Sequence, residues 1–193
     1  EAAAARMIDE YFQLVEQWNL SRNAQERPRI AERARRIGNT LLERAARSPH
    51  ILDEFASAIV LVPGSEYRDL ELAARAAEAA YKAGEQTPAD EARKFMHDYF
   101  RTLRTGNPRA GLSTEQRAKL AELESKILKQ ADPEELTAFA WTIMAAPDLD
   151  PRDLQLAVRA ADAARTKTND RDAAALDTYA RALFETGQRA KAL

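Results

Sequence analysis

Residues Pro49 to Ala80 and Pro133 to Ala164 are two copies of one segment, sharing 16 of 32 residues without a gap at an offset of 84. The shared positions include Phe55-Ala56 and Phe139-Ala140, Ile59 and Ile143, and Pro63 and Pro147. They also include most of the run Arg68 to Ala80, which answers Arg152 to Ala164. A unit this short cannot bury its own apolar faces, so recurrence predicts supersecondary units stacked on their neighbours. Alanine, leucine, glutamate and arginine prevail while glycine is scarce, so the units are expected to be helical.

Apolar spacing predicts the helices one by one. An opening helix over Ala2 to Asn19 gathers Met7, Ile8, Tyr11, Phe12, Val15 and Trp18 on one face. A second, from Ala24 to Arg47, takes Pro28 in its first turn and aligns Ile30, Ala34, Ile37, Leu41 and Ala45, with Gly38 marking a close approach or a mild kink. The first repeat follows with helices Ile51 to Val62 and Tyr67 to Gly84, a Pro63-Gly64 break between them, and a small-residue ridge at Ala73, Ala77 and Ala80. A helix from Pro88 to Thr105 is stopped by Gly106 and Asn107-Pro108. Ser113 and Gln116 form a capping-box pattern for a helix ending near Gln130, and Asp132 caps the second repeat at Pro133. Helices Glu134 to Ala145, Arg152 to Thr166 and Asp172 to Thr186, with loop PDLDP before Arg152, complete about nine helices and the start of a tenth.

The expected organisation is an N-terminal hairpin (1–48), a first repeat unit (49–112), a connecting helix (113–132) and a second repeat unit (133–193). The third helices of the two copies match only with a gap of three residues, so packing positions are shared more strictly than linker lengths. A start without methionine and a stop at GQRAKAL lead us to expect a domain cut from a longer chain.

The segment Ala175 to Leu193 resembles the tetratricopeptide motif, with Leu176, Tyr179, Ala180, Leu183, Gly187 and Ala192 at its large, large, small, large, glycine and small positions. Phe139, Ala140, Ile143, Ala157, Ala161 and Ala164 match it in the preceding helix pair, as do Phe55, Ala56, Ile59, Ala73, Ala77 and Ala80 in the first copy. More narrowly, FAW, RDLQLAVRAADAA, LDTYA and ETG together look like the tetratricopeptide-like region beside thioredoxin-like domains of some exported bacterial proteins. The resemblance covers about 120 of the 193 residues. It implies an all-α, TPR-like solenoid of helical hairpins with a concave groove, and a periplasmic or exported location. The lengthened loops PGSEY and PDLDP, and residues 1–48, depart from the motif.

Function is constrained mostly by exclusion. The 29 basic and 31 acidic side chains nearly cancel, which removes a general field for nucleic acid or an anionic membrane. Arg27, Arg29, Arg33, Arg35, Arg36, Arg44 and Arg47 enrich the second helix; they read either as a nucleic-acid surface or as the solvated side opposite Ile30 and Ile37. No cysteine is present, and no hydrophobic run approaches the roughly 20 residues of a membrane helix. His50 and His97 stand 47 residues apart without a ligand at helical spacing, and each has a nearby carboxylate that reads as a helix-surface neighbour. Met96, Tyr99, Phe100 and Leu103 read as a packed helical face and not as a cofactor box. No catalytic, cofactor or metal-binding constellation emerges.

What remains is a protein-binding surface. Trp141 occupies the outward position of its helix, where Ser57 stands in the other copy. It either lines a concave groove together with Thr137, Met144, Asp177 and Arg181, or buries against the helix ending at Gln130. The groove reading implies a peptide or partner helix as ligand and no enzymatic activity. The alternatives are an accessory domain of an exported thioredoxin-like protein and a nucleic-acid binder using the arginine-rich helix.

Overall fold

The computed structural model describes residues 2–61, 67–105, 111–145 and 153–192. Among these the chain is all-α, with nine α-helices and no strand. The helices are α1 (Ala2–Leu20), α2 (Glu26–Arg44), α3 (Pro49–Leu61), α4 (Leu70–Ala83), α5 (Pro88–Thr105), α6 (Thr114–Gln130), α7 (Pro133–Ala145), α8 (Leu154–Lys167) and α9 (Ala173–Glu185). Where the start of a tenth helix is expected, the described residues form a 3-10 turn, Arg189–Lys191. The expected Pro63-Gly64 break, the PDLDP loop, and the stop at Gly106 to Pro108 lie outside the described residues. No helix among the described residues is long and apolar enough to cross a membrane.

Side-chain caps set several of these helix starts. Ser113 accepts from the Gln116 amide while the Gln116 side chain accepts from the Ser113 amide. Asp132 and Glu135 make the same reciprocal pair at the head of α7, at 2.9 and 3.0 Å. Asp69 and Asp153, equivalent in the duplication, each accept from the amide three residues on and share nearly the same backbone, φ −84° and ψ 76° against φ −83° and ψ 79°. The repeat is therefore reproduced down to single dihedral angles.

The chain divides into two compact units, Glu1–Asp90 and Glu91–Leu193. In the first, α1 packs on α2, α3 packs on α4, and α2 meets α4. Tyr11 and Phe12 of α1 meet Phe55 of α3 edge-on, with ring centroids 5.0 and 6.3 Å from it. Gly38 lies so close to the Leu72 side chain that a Cβ on it would overlap a leucine methyl. Of the two roles open to Gly38, close approach and kink, the packing therefore supports close approach.

In the second unit, α7 packs on α8, α9 packs on both, and α6 meets α8. Tyr99 and Phe100 of α5 meet Phe139 of α7, each with centroids 5.4 Å away. The sequence places α5 at the end of the first repeat, whereas its aromatic face is built into the second unit. The core of that unit is Leu136, Phe139, Ala140 and Ile143 against Leu156, Ala157, Ala160, Ala161 and Ala164, all buried.

The duplication accordingly extends over four helices. Tyr11-Phe12 of α1 corresponds to Tyr99-Phe100 of α5 at an offset of 88. Ala34, Leu41 and Ala45 of the α2 segment correspond to Leu120, Ile127 and Ala131 of the α6 segment at an offset of 86, and all six are buried. Ala45 and Ala131 both end their helices by donating to the carbonyl of the corresponding residue, Leu41 or Ile127. Helices α3 and α4 correspond to α7 and α8 at 84. Helix α9 is additional to the four.

Candidate partner-binding surface on α7 and α9

A helix that buries positions 136, 139, 140 and 143 must turn position 141 away from the core, because each residue advances about 100° around the axis. Trp141 is accordingly 42% exposed, which corrects the reading that buries it against the helix ending at Gln130. The Arg181 guanidinium, from α9, lies over the indole at 5.5 Å from the ring centroid. At a partly exposed site such a cation–π contact contributes about 0.5–1 kcal/mol, enough to bias both side chains toward one arrangement.

Asp172 fixes the start of α9 by accepting from the amides of Ala174 and Ala175 at 2.8 and 3.0 Å. Asp177 and Arg181 then fall one turn apart on its exposed side, and Arg181 reaches Glu185 at 3.4 Å. The structure therefore brings Trp141 and Arg181 together, and Arg181 in turn reaches Glu185 along α9. Thr137 is half-buried and its hydroxyl donates to the Pro133 carbonyl at 2.7 Å, so its polar group is engaged within α7. Met144 is buried, and the expectation that it lines the surface is corrected. It sits beside Ile143 on the inner side of α7, as the equivalent Val60 does in α3.

Two surface residues are not found by the sequence reading. Leu176 and Phe184 of α9 are 38% and 53% exposed, and the Arg189 guanidinium lies 4.9 Å from the Phe184 ring centroid. Their spacing of eight, with Ala180 between them, is the signal of an exposed apolar stripe. The motif resemblance instead assigns Leu176 to packing.

Behind this surface α7 is anchored to α5 by a partly buried ion pair. Glu135 accepts from Arg93, and it also accepts from the Asp132 amide within the capping box. Burial pushes the Glu135 carboxyl up to about 7, with the Asp132 amide and Arg93 pulling the other way. His97, one turn after Arg93, is buried, contrary to its reading as a surface neighbour of Asp98, and its Nδ1 has no hydrogen-bond partner among the described residues. Burial, with a smaller contribution from the Arg93 charge, pulls its pKa down to about 4, so the ring is neutral at physiological pH. His50 is exposed. Among the described residues no three His, Cys, Asp or Glu side chains are grouped so as to hold a metal ion.

The arginines of α2 are largely matched within the protein. Arg33 pairs with Glu10 at 3.1 Å, Arg35 with Asp69 at 2.8 Å and Arg36 with Glu32 at 3.5 Å, while Arg27 covers Trp18 at 4.4 Å from its centroid. This favours a solvated, internally paired face over a strip of cations presented to phosphate. No family model, curated protein or solved structure matches the chain, so the reading of the surface rests on its own geometry.

Proposed function

We propose that this chain is a non-catalytic interaction or scaffolding module, a TPR-like stack of helical hairpins that docks a peptide or partner helix against α7 and α9. The observation that carries the reading is an exposed tryptophan held under an arginine on adjacent helices, flanked by Asp177 and Glu185. Surfaces that recognise peptides concentrate their energy in a few such aromatic and arginine anchors. Trp141 supplies apolar area, while Arg181 and Asp177 orient a polar or charged ligand. The duplicated core behind them supports the anchors on rigid helices.

The test is selection from a displayed library of helical peptides on the native chain, followed by titration of the enriched peptides. Binding should weaken at least tenfold in Trp141→Ala and measurably in Arg181→Ala. Enriched peptides that bind both variants as tightly as the native chain would refute this surface as the docking site.

A further inference from the structure

The two units fill one equivalent position differently, and the difference leaves a cavity. In the second unit Tyr99, Leu103, Leu112, Arg117, Leu120, Ala121, Glu124 and Asp153 line an open cavity of about 460 Å³ bounded by α5, α6 and the head of α8. That volume lies within the range of roughly 300–1,000 Å³ in which proteins hold small ligands. Its lining joins the side chains of Tyr99, Leu103, Leu112, Leu120 and Ala121 to the carboxylates of Glu124 and Asp153.

The first unit shows what occupies the corresponding place there. By the offsets of 88, 86 and 84, Tyr11 corresponds to Tyr99, Ala34 and Arg35 to Leu120 and Ala121, and Asp69 to Asp153. Arg35 donates through Nε to the Asp69 carboxylate at 2.8 Å, and the Asp69 side chain is only 5% exposed beneath it. Tyr67 completes the filling, its hydroxyl donating to the Ala31 carbonyl at 3.3 Å and its ring 5.4 Å from Trp18. In the second unit Arg35 is replaced by alanine, and the Asp153 side chain is 44% exposed. The counterpart of Tyr67, residue 151, lies outside the described residues.

Among the described residues, the charge that Arg35 supplies in one unit is not supplied equivalently in the other, and the cation that stands near Asp153 is Arg159. It is committed to Glu124 at 2.6 Å and lies 3.8 Å from the Asp153 carboxylate, beyond hydrogen-bond reach. Its counterpart Arg75 bonds Asn39 in the first unit and leaves Asp69 to Arg35. We infer that the cavity between α5, α6 and α8 is a binding site for a guanidinium ligand, an arginine side chain of a peptide. The guanidinium takes the place of Arg35 beside Asp153, its aliphatic stem lies along Tyr99, Leu103 and Leu120, and Arg117, which also lines the cavity, is available to the peptide carbonyls. The planar guanidinium suits this position because it can give a carboxylate two parallel hydrogen bonds. This site is independent of the Trp141 surface, and either can fail without the other.

The test uses the full chain, isotope-labelled, titrated with N-acetyl-arginine amide and followed by amide NMR, with N-acetyl-citrulline amide as the neutral isostere. A single arginine residue should bind with a dissociation constant on the order of 1 mM. Saturable shifts are expected at Tyr99, Leu120, Ala121 and Asp153, with the citrulline analogue at least tenfold weaker. Asp153→Asn keeps the helix cap but removes the charge, and should weaken binding at least tenfold. Ala121→Arg should fill the site from within and abolish binding. Ala121 is exposed on α6 and arginine is a good helix former, so an unchanged melting curve and amide spectrum elsewhere should accompany that loss. Conversely, Arg35→Ala should open a second site and add shifts at Tyr11 and Asp69. Equal binding of the citrulline analogue, retention of binding in Ala121→Arg, or no saturation up to roughly 50-fold above ~1 mM would each overturn the proposal.

Discussion

The two four-helix sets, α1–α4 and α5–α8, share their apolar packing and differ in their polar filling. Tyr-Phe pairs from α1 and α5 meet Phe55 and Phe139, and alanines line α4 and α8 at matching positions. Yet the first unit closes over Asp69 with Arg35 and packs Leu72 onto Gly38, whereas the second has Ala121 and Glu124 at the positions of Arg35 and Gly38. The contrast separates what a helical repeat must keep from what it is free to change. Buried apolar volume is coupled to every neighbour, so it is retained; a partly exposed polar position is coupled to few, and it can diverge toward binding.

The comparison is broken most directly at its shared centre. Phe55 and Phe139 are each almost fully buried within an aromatic trio. Phe55→Ala and Phe139→Ala should each destabilise by about 3–5 kcal/mol, read as a shift in the urea-unfolding midpoint. Similar costs would confirm that the trios are equivalent. A cost below about 1 kcal/mol at either site would show that its trio is not a centre of packing.

His97 is a difference between the units rather than a likeness, since its counterpart in α1 is the exposed Asp9. Its folded pKa of about 4 lies below the unfolded value of 6.5, so the unfolded chain binds the proton more readily. The associated stability is complete above pH 6.5 and is lost as the pH falls through 6.5 toward 4, by on the order of 3 kcal/mol. Glu135, raised to about 7, contributes the opposite slope over the same range, so the reading is a difference: by chemical denaturation between about pH 7 and 4 the native chain should lose this stability relative to His97→Met. An unchanged slope would assign the acid sensitivity to other groups.

How much of this can be read from the sequence depends on how the copies are spaced. Helices α3, α4, α7 and α8 align without a gap, so their pairing is legible from residues such as Phe55 and Phe139. The likeness of α1 to α5 is not, because the offset drifts from 84 to 86 to 88 as linker lengths differ. The Tyr11-Phe12 and Tyr99-Phe100 dipeptides are its visible trace. Trp141 can be found because a residue two positions beyond the packed Phe139 has to face outward, and Arg181 because it lies between the core positions Thr178 and Leu183 on the polar side of α9. Met144 is misread because it shares a side with Trp141 at helical spacing yet also follows the buried Ala140 by one turn, which puts it on the flank of the core face; the buried Val60 in the other copy is the available warning. The cavity beside Ala121 cannot be seen at all, since it is defined by a side chain that the residue lacks.

Close approach of the helices offers the next contrast. A methyl added in Gly38→Ala would meet Leu72, itself nearly fully buried, and should cost about 1–3 kcal/mol by overpacking. Glu124, at the corresponding place, points a partly exposed carboxylate at Arg159, so Glu124→Ala should cost no more than about 1 kcal/mol. Thermal unfolding of the two variants reads the difference. Equal costs would mean that α2 has room to move away from α4, and that the glycine is not what sets their separation.

The smallest contrast lies in the two matching caps. Asp69 and Asp153 accept the same amide bond in the same backbone conformation, so the cap alone should be worth about 1 kcal/mol in each. Asp69 also receives Arg35 in a setting nearly closed to solvent, whereas Asp153 stands open to the cavity. Asp69→Ala therefore removes a cap together with a partner that Arg35 holds in the native protein. Arg35 is itself 60% exposed and can turn to water, which limits the excess cost over Asp153→Ala to about 1 kcal/mol. Adding Arg35→Ala to Asp69→Ala should then cost almost nothing further, because the pair is already broken. A double variant clearly less stable than Asp69→Ala would show that Arg35 packs for its own sake. In that case the empty position beside Ala121 would reflect lost packing volume as well as lost charge.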